Sequence, residues 1–274
     1  MTVRPTWDPD QYLRHAGHRT RPFLDLLARV GPGPDAGPGA GTGRIADLGC
    51  GAGDVTALLA ARRPAARVTG YDNSPQMLER ARRHTGPRLD FVHADAATWE
   101  PGTGTYDLIV SNALLQWVPD HADRFPVWLD ALTPGGTFAF QVPGNFTAPS
   151  HTILAALRAS PRWRSRLGGA GDRAAAVLEP EAYLTRLVAL GCEADVWETT
   201  YLQILHGEDP VLDWMKGTAL RPVLTALADD PGASGAFVAE YAQALRAAYP
   251  AGPHGTVFPF RRVFAVARKA GRPR

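Results

Sequence analysis

Apolar residues recur along this chain at two spacings, which predict where strands and helices lie. Short apolar runs, typical of buried strands, alternate with stretches that have the three-to-four-residue spacing of helices. The strands predicted in the first half occupy residues 44–48, 67–72, 89–94, 106–111 and 137–142. Helices are predicted between most of them, at residues 53–63, 75–84 and 121–132. Short apolar strands that alternate with helices predict an α/β fold with a parallel sheet covered on both faces.

The second half of the chain predicts two more strands, at residues 194–204 and 257–268, with a long insertion before each. Insertions of such length are usually lids or contain helices of their own. The expected segments are an N-terminal helical segment (1–30), a flexible Gly/Pro connector (31–43), an α/β core (44–143), a helical insertion (144–190), a core strand (191–205), a helical lid (206–256), and a final core strand with its tail (257–274).

Composition restricts the possible partners. The 274 residues are 45% hydrophobic and 20% charged, as in ordinary globular proteins. A net charge of +2 attracts a polyanion only weakly, so we expect no nucleic-acid partner. No apolar run approaches the roughly 20 residues that a membrane-spanning helix needs, so we expect no membrane association. Two cysteines and the absence of a secretion signal predict a cytoplasmic location.

A glycine-rich turn follows the first predicted strand, in the sequence DLGCGAG from Asp47 to Gly53. A strand that leads through such a turn into a helix brings backbone N–H groups close to a ligand. Dinucleotide sites use the pattern G-x-G-x-x-G. Here Asp54 stands where the last glycine of that pattern would be. The observed spacing, D-x-G-x-G-x-G, instead resembles motif I of class I methyltransferases, which use S-adenosylmethionine (SAM).

Polar residues at the ends of the next three predicted strands continue this pattern. Asp72 ends the second strand, where a carboxylate can accept both ribose hydroxyls. In the methyltransferase pattern, Asp95 faces the adenine amino group and Asn112 borders the methionine part of SAM. The 44–143 core is therefore expected to bind SAM. The predicted SAM-binding residues are Asp47, Gly49, Cys50, Gly51, Gly53, Asp72, Asn73, Met77, Asp95, Ala96 and Asn112.

A closer resemblance extends from residue 7 to residue 268. Several separate segments are similar to the trans-aconitate 2-methyltransferase family, among them WDP at 7–9, LLQWVPD at 114–120, VWETTY at 196–201 and RVFAVAR at 262–268. The resemblance implies a Rossmann-like class I methyltransferase fold. Its sheet would have seven mostly parallel strands with an antiparallel last strand, with helical lid insertions and the N-terminal segment over the active site. Residues 31–43 and 160–178 depart from the family pattern.

The resemblance also implies a reaction: transfer of the SAM methyl group to a carboxylate of a small acid such as trans-aconitate, with S-adenosylhomocysteine as the second product. A carboxylate is ionised at neutral pH and needs no general base. Catalysis can then rest on alignment and desolvation. A polycarboxylate requires cationic partners, and Arg19 is favoured over Arg21 because it shares a helix face with Tyr12. The predicted acceptor-site residues are Tyr12, Arg19, Gln141, Trp214, Arg221 and Arg262.

Other functions stay open at this point. A methyltransferase that tailors a different small molecule or natural product would need fewer buried cations than a polycarboxylate site. A catalytically silent SAM-binding module is disfavoured by the intact acidic residues, and an NAD-dependent oxidoreductase is disfavoured by Asp54. A metal site is not expected, because the cysteines and histidines lack ligand spacing. The oligomeric state is open, with a monomer favoured.

Overall fold

The computed structural model of the chain describes residues 16–31, 43–168 and 177–271, with side chains described from Thr20 onward. Tyr12, the side chain of Arg19 and most of the predicted 31–43 connector therefore lie outside the described residues. So does part of the 160–178 stretch.

The described strands form one sheet in the order β3-β2-β1-β4-β5-β8-β6, with the two-residue β7 paired to β8. Strands β1 to β5 pair in parallel, and β8 runs antiparallel to β5. The predicted α/β fold with an antiparallel last strand is confirmed, and β7 is an unpredicted addition. The strands are β1 (Arg44–Leu48), β2 (Arg67–Asp72), β3 (Leu89–His93), β4 (Tyr106–Asn112), β5 (Leu132–Pro143), β6 (Cys192–Leu205), β7 (Ala251–Gly252) and β8 (Gly255–Lys269).

Many helices begin with proline, whose fixed φ and missing N–H suit the first helical position. The α-helices are Ala16–Arg29, Asp54–Arg62, Pro75–Ala81, Phe125–Asp130, Pro149–Ala159, Arg164–Leu167, Pro180–Ala189, Pro210–Lys216, Arg221–Ala226 and Pro231–Ala248. Short 3-10 turns occupy Arg82–His84, Leu115–Trp117 and His121–Arg124. No helix in the described ranges is both long and apolar enough to cross a bilayer.

One sequence-based boundary is wrong. The predicted 121–132 helix is a 3-10 turn followed by Phe125–Asp130, and Leu132 already belongs to β5. Leu132 pairs with Tyr106, and the β4–β5 register then shifts between Tyr106 and Leu108. The early residues of β5 contain two glycines and a proline, so they show no strand periodicity in the sequence.

The described residues divide into two compact units. The larger one comprises residues 19–31, 43–143, 177–199 and 262–271, and holds the parallel strands. Its core contains an aromatic cluster around Phe125, whose ring lies 5.4 Å from that of Phe138 and 5.5 Å from that of Phe140. The smaller unit comprises residues 16–18, 144–168 and 200–261, with a separate core around Trp214 and Phe237.

His121 lies at the edge of the aromatic cluster, 3% exposed, with Nε2 2.7 Å from the Tyr183 hydroxyl. Burial lowers the pKa of His121 to about 4. Between pH 6.5 and pH 4 the unfolded chain therefore binds more protons at this residue than the folded chain does. The folded state loses stability as the pH falls through this range.

Replacing His121 by Gln keeps a hydrogen-bonding partner for Tyr183 and removes the titrating group. Between pH 7 and pH 5 the free energy of unfolding of the wild type should fall by about 2 kcal/mol more than that of His121→Gln. Urea denaturation at both pH values measures this difference. Equal losses in the two proteins would show that His121 does not titrate as its burial requires.

Candidate active site

The glycine-rich turn after β1 has a backbone that side chains would not tolerate. Gly49, Gly51 and Gly53 have φ values of 76°, 56° and 82°, a region that residues with a side chain rarely adopt. An added Cβ at Gly49 would lie 2.7 Å from the Cβ of Leu114. At Gly53 it would lie 2.9 Å from the ring of Phe91. Only glycine therefore allows this turn to pack so closely.

Asp72, at the end of β2, connects the turn to the next strand. Its Oδ2 accepts a hydrogen bond of 2.9 Å from Gly51 N, and its Oδ1 accepts one of 2.8 Å from Ser74 N. Burial raises the pKa of Asp72, and these backbone donors offset part of the rise. Asn73 N is a third backbone donor to this carboxylate, so about one of its four lone-pair positions remains to accept a ligand hydroxyl.

Asp47, at the start of the turn, is a fully buried carboxyl group. Thr56 Oγ1 donates to Asp47 Oδ2 at 2.7 Å, whereas Oδ1 has no hydrogen-bond partner among the described residues. Burial raises the pKa of Asp47 to about 7, Thr56 opposes the rise, and the negative charge of Asp72 adds to it. A buried carboxylate with an unmatched oxygen is costly. A positively charged ligand would reduce that cost.

The other predicted cofactor residues lie along the same edge of the sheet. Because β3, β2, β1 and β4 are neighbours, their carboxyl ends place Asp95, Asp72, the glycine turn and Asn112 in a row. Asp95 Oδ1 accepts from Ala97 N at 3.0 Å, and Asn73 is exposed. Three apolar positions are buried, namely Cys50, Met77 and Ala96. Burial also raises the pKa of the Cys50 thiol, which therefore stays protonated.

A second polar row crosses the ends of β4, β5 and β8. Gln141 Nε2 donates to Asn112 Oδ1 at 2.5 Å, and Arg262 Nη1 donates to Gln141 Oε1 at 3.0 Å. Gln141 is 0% and Arg262 4% exposed, so the guanidinium lies inside the protein. Two predicted acceptor-site residues, Gln141 and Arg262, are thus joined to one predicted cofactor residue, Asn112.

Ala113, which follows Asn112, holds this row in place. Its φ of 58° is a left-handed conformation that is unfavourable for a residue with a side chain. Ala113 N donates to Gln141 O at 2.9 Å, which ties the end of β4 to β5 in that conformation. Backbone strain of this kind is typically concentrated at ligand sites.

Three other predicted acceptor residues, Trp214, Arg221 and Arg19, lie in helices. The Trp214 ring is 1% exposed and packs against Phe258 and Phe260, at centroid distances of 5.7 and 5.3 Å. Arg221 is half-buried at the start of the helix Arg221–Ala226. Arg19 lies in the helix Ala16–Arg29, where the alternative, Arg21, is exposed. The roles assigned to Trp214, Arg221 and Arg19 stay predictions.

The sequence did not single out Thr56 as part of the site. A single threonine in a helix carries no motif, and its role becomes visible only when the helix Asp54–Arg62 folds back and brings Oγ1 to Asp47. Within the described residues, no group of three or more His, Cys, Asp or Glu side chains could hold a metal ion.

Comparison with known proteins identifies the family. Residues 45–136 match a methyltransferase domain. The chain is 64% identical to a trans-aconitate 2-methyltransferase of Streptomyces coelicolor, over 97% of this chain and 87% of that protein. The corresponding protein of Streptomyces avermitilis is 62% identical over 97% of both chains, and that of Rhodococcus jostii is 47% identical over 96% of this chain and 99% of its own. This chain belongs to the trans-aconitate 2-methyltransferase family.

Solved structures support the same fold. Haemonchus contortus phosphoethanolamine N-methyltransferase 2, in complex with S-adenosyl-L-methionine, superimposes with a TM-score of 0.57 at 20% identity. The match covers 95% of this chain and 56% of that protein. The [4+2]-cyclase SpnF has a TM-score of 0.55 at 18% identity, over 99% of this chain and 89% of its own. At these identities the likeness shows only the class I methyltransferase fold.

Replacing Asp47 by Asn tests the buried carboxyl group. Folding raises the pKa of Asp47 to about 7 from an unfolded value of about 4. The folded state therefore binds this proton more tightly than the unfolded state, and the free energy of unfolding falls as the pH rises from 4 to 7. Without ligand, Asp47→Asn should therefore be more stable than the wild type at pH 8, by at most about 4 kcal/mol. It should also bind SAM more weakly.

Urea denaturation at pH 5 and pH 8 and titration calorimetry with SAM measure the two effects. The stability advantage of Asp47→Asn should shrink at pH 5, where the wild-type carboxyl group is protonated. An advantage that is the same at both pH values would mean that Asp47 does not titrate in this range.

Proposed function

We propose that this methyltransferase uses SAM to convert one carboxylate of trans-aconitate into a methyl ester. The substrate is inferred from the family, because relatives more than 60% identical over nearly the whole chain are trans-aconitate 2-methyltransferases. The observation in the structure that supports a carboxylate acceptor is the buried guanidinium of Arg262, which is hydrogen-bonded through Gln141 to the cofactor edge. A buried cation suits an anionic acceptor better than an apolar one.

The residues of the larger unit suit SAM. Asp72 has a lone-pair position left for a ribose hydroxyl, and the space beside Gly51 is open, with no heavy atom within 4 Å of where its Cβ would be. The unmatched oxygen of Asp47 suits a ligand that carries an ammonium and a sulfonium group, because both are positive. The other proposed contacts are Asp95 and Ala96 with adenine, and Asn112 with the methionine part.

When bound, SAM supplies an electrophilic methyl group that an acceptor carboxylate oxygen takes up, leaving S-adenosylhomocysteine and an ester. The chain has no proton to remove, because the acceptor carboxyl group is ionised at neutral pH. The task of its residues is therefore to orient the carboxylate and to exclude water. Arg262 can hold one carboxylate of the acceptor, which is easier inside the protein, where a charge pair is screened less than in water.

Gln141 positions Arg262 rather than contacting the acceptor. Its side-chain oxygen accepts from Arg262 and its nitrogen donates to Asn112, and the residue is fully buried. The amide therefore fixes the guanidinium relative to the cofactor edge. Tyr12, Arg19, Trp214 and Arg221 stay proposed acceptor contacts, and the cytoplasmic location and the monomeric state stay predictions.

The first experiment is an assay of S-adenosylhomocysteine formation with trans-aconitate, cis-aconitate, citrate and isocitrate. We expect turnover of trans-aconitate with a monomethyl ester as product, identified by mass spectrometry. Turnover of none of these acids, with SAM still bound, would remove the carboxylate assignment. It would favour the alternative, a methyltransferase that tailors a different small molecule.

Arg262→Gln removes the buried cation, and Arg268→Gln is the matched control because Arg268 is exposed on the same strand. Loss of one charged hydrogen bond costs about 1.5–3 kcal/mol, so kcat/KM for the acceptor should fall about 10- to 150-fold in Arg262→Gln. SAM affinity should change less than twofold. Equal effects in the two variants, or parallel losses of SAM and acceptor affinity, would contradict a specific role of Arg262.

A further inference from the structure

Gln116 is a half-buried glutamine in the segment that follows β4. Its Nε2 donates to the backbone oxygen of Ala113, three residues earlier, at 2.6 Å. The amide oxygen in the same place would repel that carbonyl, so the contact also fixes which end of the amide faces Ala113. The other end, Oε1, is buried without a partner among the described residues. The bond to Ala113 is therefore the polar contact that defines how this side chain is held.

Ala113 is a residue that needs such a bond. Its φ of 58° is unfavourable for alanine, and a free chain would relax to an ordinary conformation. Both of its backbone polar groups are bound, because N donates to Gln141 O at 2.9 Å and O accepts from Gln116. The first bond comes from the backbone of β5 and the second from a side chain. Loss of the Gln116 amide would leave the strained residue held on one side only.

The two neighbours of Ala113 belong to the proposed cofactor site. Asn112, directly before it, ends β4 and pairs with Gln141. Leu114, directly after it, packs so closely on the glycine turn that a Cβ at Gly49 would lie 2.7 Å from the Cβ of Leu114. A change of backbone conformation at Ala113 would therefore displace both the end of β4 and the residue that covers the glycine turn.

The segment that carries Gln116 is itself well anchored. Leu115 is fully buried in the core of the larger unit. Trp117 N donates to Leu114 O at 2.8 Å, and Val118 N donates to Leu115 O at 3.0 Å. Gln116 thus reaches back from a fixed 3-10 turn to the strained peptide, and all of these residues lie within the larger unit.

We propose that Gln116 is a positioning residue, whose amide holds Ala113 in its left-handed conformation and so keeps Asn112 and the glycine turn in the arrangement that binds SAM. Gln116 acts through the backbone of Ala113. Without its amide, a share of the molecules has a relaxed turn, and the measured SAM affinity falls with the share that remains competent. The inference rests on the proposed contact of Asn112 with SAM and not on the identity of the acceptor.

Titration calorimetry with SAM on the wild type, Gln116→Met, Ala113→Gly and the double variant tests this role. Gln116→Met keeps the length of the side chain and removes the donor, so SAM affinity should fall about 3- to 10-fold. Glycine adopts positive φ without strain, so Ala113→Gly should bind SAM within about twofold of the wild type. In the double variant, the Ala113→Gly change should restore most of the lost affinity. Gln243→Met, at an exposed glutamine, controls for the substitution itself.

Rescue by Ala113→Gly separates positioning from other roles of Gln116. If Gln116 contacted SAM directly, or only filled space, the double variant would bind SAM as weakly as Gln116→Met, and the proposal would be overturned. Unchanged affinity in Gln116→Met would overturn it as well. Should Gln116→Met fail to fold, the double variant decides, because the Ala113→Gly change should restore both a cooperative thermal transition and SAM binding, and failure to do so contradicts the proposal.

No acceptor is present in this titration. A wild type that binds SAM but forms no ester from trans-aconitate would therefore contradict the proposed function and leave the result for Gln116 standing. Normal ester formation with no loss of SAM affinity in Gln116→Met would do the reverse.

Discussion

The bond from Gly51 N to the carboxylate of Asp72 is the interaction on which the rest of the site depends. It joins the glycine turn to the end of β2, and Gly49 N and Cys50 N bind the same strand through Tyr71 O at 2.7 and 3.0 Å. The turn can take this path only because its glycines adopt positive φ. One carboxylate thus serves the fold and keeps a lone-pair position that can accept a ligand hydroxyl.

Charge is arranged differently at the two ends of the sheet edge. The end at β1 and β2, where the cofactor is proposed to bind, contains Asp47 and Asp72, whose pKa values are raised by burial, and therefore favours a cationic ligand. The end at β5 and β8 contains the buried guanidinium of Arg262 and favours an anion. A sulfonium donor and a carboxylate acceptor have these two charges, so the electrostatics agree with the chemistry of the family.

The sequence predicts what depends on local pattern. Strand periodicity, the spacing of the glycine turn and the acidic residues at strand ends are all local, and each lies where it was predicted. The start of β5, β7 and the bond from Thr56 to Asp47 depend on tertiary pairing and leave no periodic signal. The sequence likewise does not predict how the acceptor candidate Trp214 is buried. Its ring packs against Phe258 and Phe260 of a distant strand, a tertiary contact that no local motif indicates.

Fold does not decide the reaction, since the [4+2]-cyclase SpnF has a similar backbone. Asp47 Oδ1 is buried without a hydrogen-bond partner among the described residues, and an unmatched buried carboxylate oxygen is unfavourable. A positively charged ligand beside it would reduce that cost, which the fold alone does not. If the proposed function holds, methyl transfer to an ionised acceptor asks of the protein little more than binding both ligands in the correct orientation.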